Sequence, residues 1–96
     1  MSFETHINGN KPVVVDFFAT WCGPCKMMEP VLKQLKEKIG ENATILKMDI
    51  DKNPAYANRY GIQAVPTVIV FKEGKIIWRK TGVANVHELL QQLNAV

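Results

Sequence analysis

Apolar and polar residues fall into blocks along the chain, and their period changes from block to block. Val13 to Phe18 is almost continuously β-branched or aromatic, the pattern of a buried strand, and only Asp16 interrupts it. From Cys22 to Ile39 the period becomes helical, with Met28, Val31, Leu32, Leu35 and Ile39 recurring on one face. Pro24 suits the first turn of that helix, where a missing N–H costs little. Gly40 ends it, and Pro30 inside it predicts a kink. Thr44 to Ile50 alternates Leu46, Met48 and Ile50 against Ile45, Lys47 and Asp49, which predicts a second strand. Asn53-Pro54 reads as an N-cap followed by proline at the first helical position, opening a short helix that closes near Gly61. Thr67 to Phe71 and Lys75 to Lys80 are two strands joined around Glu73-Gly74, hence an antiparallel hairpin. Asn85 with Glu88 three residues on forms a capping box, and Val86, Leu89, Leu90 and Leu93 make the stripe of a last helix. Phe3, Thr5 and Ile7 fit either a short strand or a loose helix.

The order strand, helix, strand, helix, strand, strand, helix defines an α/β fold. A long crossover makes the first two strands parallel and the hairpin makes the last two antiparallel, so the central sheet is mixed, with helices on both faces. A length of 96 residues fits a single domain, residues 1–96, able to bury roughly 60–65% of its unfolded surface in one core. The net charge of +3 comes from scattered lysines and arginines without interleaved aromatics, so neither nucleic acid nor a membrane surface is expected as a partner. No apolar run approaches the ~18 residues of a membrane span, and Met1 to Lys11 has no apolar signal-peptide core. The chain therefore reads as cytoplasmic.

Within that frame the two cysteines carry the chemistry. Cys22 and Cys25 are the only ones in the chain, and they sit two residues apart where a strand feeds a helix N-terminus. In a reducing compartment such a pair is catalytic or metal-binding rather than a staple. A zinc site needs four ligands, and His6 and His87 lie at opposite ends without ligand spacing, so no metal and no cofactor is expected. Cys22, first at the helix N-terminus, has orphan N–H groups and the helix dipole to favour its thiolate, and is the expected nucleophile. Cys25, one turn further and expected to be more buried, would resolve the mixed disulfide. Asp16 is either a buried carboxylate with raised proton affinity or an edge carboxylate that reaches solvent. Lys47 on the neighbouring strand is a candidate charge partner for it.

The segments Val15-Asp16-Phe17, Ala19-Thr20-Trp21-Cys22-Gly23-Pro24-Cys25-Lys26, Asp49-Ile50-Asp51-Lys52-Asn53-Pro54, Val65-Pro66-Thr67 and Phe71-Lys72-Glu73-Gly74, with Pro30, Gly61-Ile62 and Gly82, resemble the thioredoxin family over nearly the whole chain. The resemblance implies a three-layer thioredoxin fold with four main strands. Only twelve residues precede Val13, so the family's first strand is expected to be missing or vestigial. Phe18 stands where many relatives carry a second tryptophan and is expected to support the active-site loop.

The same resemblance implies a protein-disulfide reductase, with disulfide-containing proteins as substrates and a thioredoxin reductase as electron donor. It makes Asp16 the base for Cys25, supported by Lys47. It makes the Val65–Pro66 bond cis and places it opposite the cysteines, where the proline would shield them from metal clusters. Val65's backbone would then dock substrate in strand-like fashion. Trp21, Gly23, Pro24, Val65, Pro66, Gly82 and Val83 would form the substrate-binding face. A monomer is expected. The alternatives are a thioredoxin-like binding subunit without turnover, and an oxidase or isomerase of the same fold. The Gly23-Pro24 insert resembles the reducing branch.

Overall fold

The computed structural model describes residues 3–95; Met1, Ser2 and Val96, inside the expected domain span, lie outside the described residues. The first element is a helix, α1 (Phe3–Ile7), and not a strand. Phe3 and Ile7 lie four residues apart, which puts both on one helical face, and both are buried. No strand precedes β1 (Val13–Phe18) among the described residues. The remaining elements are α2 (Met28–Ile39), β2 (Thr44–Asp49), α3 (Pro54–Arg59), β3 (Thr67–Lys72), β4 (Lys75–Thr81) and α4 (Val86–Asn94).

The sheet order is β2-β1-β3-β4. Strands β1 and β2 run parallel, β1 and β3 antiparallel, β3 and β4 antiparallel. The mixed sheet thus has β1 and β3 at its centre, both covered on two faces. On one face Val14, Val68 and Val70 pack against Met28, Leu32, Leu35 and Ile39 of α2 and Leu89 and Leu93 of α4. On the other, Val13, Val15, Phe17, Ile69 and Phe71 pack against Phe3 and Ile7 of α1, with Tyr56 and Tyr60 from the α3 side. The strict alternation along β1 and β2 assigns each residue to its face, and Leu46 and Met48 join the second cluster while Ile45 joins the first.

Three local readings are corrected. The long helix expected from Cys22 is a 3-10 turn, Pro24–Met27, followed by α2 from Met28. Pro30 consequently falls in the first turn of a fresh helix, where its missing N–H is tolerated, and the conformational change comes ahead of it. Asn53 precedes α3 as expected, but its side chain does not cap; it donates to the Asp49 carbonyl at 3.0 Å. Cys25 is not more buried than Cys22: both are 5% exposed. Elsewhere the capping box of Asn85 and Glu88 forms in full. The β3–β4 turn places both Glu73 (φ +51°) and Gly74 (φ +82°) in the left-handed region, the requirement of a tight two-residue hairpin.

Candidate active site

The site is assembled where β1 ends. Cys22 N–H donates to the Ala19 carbonyl at 3.2 Å and Lys26 N–H to the Gly23 carbonyl at 3.1 Å. These tight turns bring the cysteines together: they form a disulfide, with Cα atoms 5.3 Å apart. The backbone N–H of Cys25 points at Cys22 Sγ, 3.2 Å away. That donor is fixed by the turn and favours negative charge on Cys22 sulfur once the bond is reduced. Ala19, Cys22 and Cys25 make a small buried cluster with Phe18, Ile50 and Val65 packed around it, so Phe18 supports the loop as expected. Gly23 has an ordinary helical φ of −61° and open space where a Cβ would stand. Its missing side chain therefore leaves room outside the loop, beside the exposed Pro24.

Across from the disulfide, the Val65–Pro66 peptide bond is cis. The Val65 carbonyl oxygen lies 3.5 Å from Cys22 Sγ, and the Val65 N–H has no hydrogen-bond partner among the described residues. Gly82, at φ +107°, donates its N–H to the Pro66 carbonyl at 2.8 Å. A side chain at that φ would be strained, so glycine is required there for its backbone, and the two loops are tied into one face. Val83 is half-buried against the α2/α4 core. Trp21 is 69% exposed beside the disulfide, and its indole N–H is held by Asp51 at 2.9 Å. Asp51 had no expected role, and a partner thirty residues away leaves no local sequence signal.

Asp16 is 1% exposed, and neither of its carboxylate oxygens has a hydrogen-bond partner. The buried reading of this residue therefore holds over the edge reading. Burial pushes its pKa up from 3.8 to about 6, against a smaller lowering by Lys47 and with a further raising by Glu29. Lys47 is its register partner on β2, yet no ion pair joins them; the Lys47 ammonium sits 4.9 Å from the centre of the Phe18 ring. Lys47 acts on Asp16 through its field. Of the remaining candidates, Met28 is core, Met27 is surface, and Trp78 packs against the α2/α4 cluster. Among the described residues no group of three or more His, Cys, Asp or Glu side chains is arranged to hold a metal.

The Cys22–Cys25 disulfide, a cis proline opposite it and a mixed sheet beneath define a thiol–disulfide oxidoreductase. The family model described as Thioredoxin matches residues 1–95. A thioredoxin of Mycobacterium tuberculosis is 43% identical over 96 residues, covering 99% of this chain and 83% of the relative. A chloroplastic thioredoxin Y of Oryza sativa is 47% identical over 85 residues, covering 88% of this chain and 51% of that protein, so the chain spans about half its length. Among solved structures, mitochondrial thioredoxin 3 of Saccharomyces cerevisiae in its oxidised form superposes with a TM-score of 0.85 at 36% identity, covering 98% of this chain and 87% of the other. The chain belongs to the thioredoxin family, and its activity is that of a protein-disulfide oxidoreductase acting on disulfide-containing proteins. No helix among the described residues is long and apolar enough to cross a membrane.

Proposed function

We propose that residues 1–96 act as one monomeric domain that reduces protein disulfides in the cytoplasm and is recharged by a thioredoxin reductase. The observation that carries the assignment of roles is the Cys25 N–H aimed at Cys22 Sγ, 3.2 Å away. It supports the reading of Cys22 as the sulfur held as thiolate. An extended substrate segment lies on Trp21, Gly23, Pro24, Pro66, Gly82 and Val83, and pairs with the free N–H of Val65 in the manner of an added strand. Cys22 thiolate attacks one sulfur of the substrate disulfide, forming a mixed disulfide and expelling the other sulfur as a thiolate that takes a proton from water. Cys25 then gives its proton to ionised Asp16, by way of water. Its thiolate attacks Cys22 Sγ and expels the second substrate sulfur. Two electrons have passed to the substrate, and the Cys22–Cys25 disulfide is the product state.

Trapping tests the roles. Cys25→Ser should accumulate one equivalent of mixed disulfide with a protein disulfide, and Cys22→Ser should accumulate none and lose turnover. Stable trapping by Cys22→Ser instead would reverse the assignment. The direction of electron flow is tested by equilibrium titration of the pair against dithiothreitol, read from Trp21 fluorescence. Reduction near ~−270 mV supports the reductase reading, that figure being thioredoxin's own reference value and not one derived from this geometry. A value of roughly −180 to −120 mV would place the chain with isomerases and oxidants.

A further inference from the structure

Cys25 has a second side. A cleft of about 200 Å³ opens between α2 and β2, lined by Cys25, Phe18, Thr20, Lys26, Glu29 and Lys47; Cys22 does not line it. Its walls carry more apolar than polar surface, with the charged side chains of Lys26, Glu29 and Lys47 among them, and it has room for several water molecules. Glu29 follows Cys25 by four residues, across the junction of the 3-10 turn and α2, and both line this cleft. Lys47 stands on the opposite wall, on β2, in register with buried Asp16. Neither Glu29 nor Lys47 joins an ion pair among the described residues, so neither charge is neutralised by a direct contact.

The other groups around Asp16 leave that pair in control. Strand β3 offers Val68. Beyond it on β4, Lys80 is held by Glu88 of α4 at 2.9 Å. Asp49, further along β2, accepts from the Asp51 N–H at 2.9 Å. The 3-10 turn brings Cys25 itself and the exposed Lys26 at the cleft wall.

We propose that Glu29 is a positioning residue of the proton-transfer step: facing Lys47 across the cleft, its carboxylate offsets the ammonium and so keeps Asp16 a strong enough base to take the Cys25 proton. This rests on the reading of Asp16 as the proton acceptor. With Lys47 alone, Asp16 would give up its proton too readily and accept one poorly. With Glu29 alone, it would remain protonated when Cys25 needs an acceptor. The raised proton affinity of Asp16, lowered by Lys47 and raised by Glu29, agrees with this opposition.

The test is a carboxyl-carbon NMR titration of Asp16 in the oxidised protein, together with the pH profile of protein-disulfide reduction. Glu29→Gln should move the Asp16 midpoint down, and Lys47→Gln should move it up. Each shift should be about half a pH unit, the size expected for one charge across a partly solvated gap. Both shifts should shrink in high salt, and the reduction profile should follow in the same directions. Glu37→Gln removes the same charge two turns further along α2 and should leave the midpoint unmoved; Glu29→Asp should restore the wild-type profile. A Glu29→Gln midpoint that coincides with that of Glu37→Gln overturns the inference. A different failure belongs to the underlying reading: if Asp16→Asn reduces substrate with the wild-type profile at every pH, Asp16 is not the acceptor and Glu29 has no such step to serve, even where the midpoints move.

Discussion

At the scale of single residues, burying the Asp16 carboxylate without a hydrogen-bond partner costs stability. In the unfolded chain it ionises near 3.8 and in the folded chain near 6, because burial disfavours the charge. Well below 3.8 it is neutral in both states and the penalty is absent. As pH rises toward 6 the unfolded chain loses this proton first, so the folded state binds more protons and stability falls. Above about 6 both are ionised and the whole penalty remains, about 3 kcal/mol for a shift of about two units. Asp16→Asn should therefore gain stability relative to wild type on going from pH ~4 to pH ~7.5, by up to about 3 kcal/mol in the difference of denaturant curves. A constant difference across that range would contradict this account. Trp21 makes a separate prediction. Its indole is fixed by a single bond to Asp51, so Asp51→Ala should cost about fivefold in kcat/KM toward a protein disulfide, the worth of one net hydrogen bond. Turnover of a small aromatic disulfide, which needs no docking face, should hardly change.

At the scale of elements, the β3–β4 turn is a place where the sequence is not at its optimum. Glu73 adopts φ +51°, a conformation that asparagine tolerates better, so Glu73→Asn should stabilise by about 0.5–1 kcal/mol in thermal unfolding. Gly74→Ala should destabilise by about 1–2 kcal/mol, because it strains φ +82° and sets a methyl against the Asn8 side chain. Adding Asn8→Gly should recover only the steric part. The elements most legible beforehand were those whose signal is local: the β-branched run of β1, the alternation of β2, and the Asn85–Glu88 box. The same residue type failed at Asn53, where a turn from Asp49 redirects the side chain to a carbonyl. The 3-10 start of α2 was illegible because one tight turn leaves no apolar period of its own. The site divided the same way. Cys22, Cys25 and Pro66 stand in contiguous motifs, whereas the Trp21–Asp51 bond and the Glu29–Lys47 cleft join common residue types far apart in sequence, which only the folded sheet brings together.

At the scale of the whole molecule, the two faces of the sheet are sealed unequally. The α2/α4 face has helices of twelve and nine residues; the other has α1 with five and α3 with six. The smaller cover works through rings. The Phe3 ring centre lies 4.7 Å from that of Tyr56, in a tilted contact, and 5.9 Å from those of both Tyr60 and Phe71, in edge-on contacts, while Glu4 accepts from the Tyr56 hydroxyl and lies 3.9 Å from Arg59. Phe3→Ala should cost about 3–4 kcal/mol and Phe3→Leu markedly less, measured by urea unfolding at neutral pH. Because the cysteines lie at the far end of β1, the potential of the pair should stay at its wild-type value in Phe3→Leu.

That clasp has a practical consequence for anyone handling the protein. Phe3 is buried against Tyr56, Tyr60 and Phe71, so a bulky group attached close to it pulls on the ring and on everything it covers. An affinity handle on that side calls for a spacer. Preparations clipped by a protease after Ile7 would keep their cysteines yet shed the lid over Tyr56, Tyr60 and Phe71, and would be recognised by their stickiness before any loss of redox chemistry.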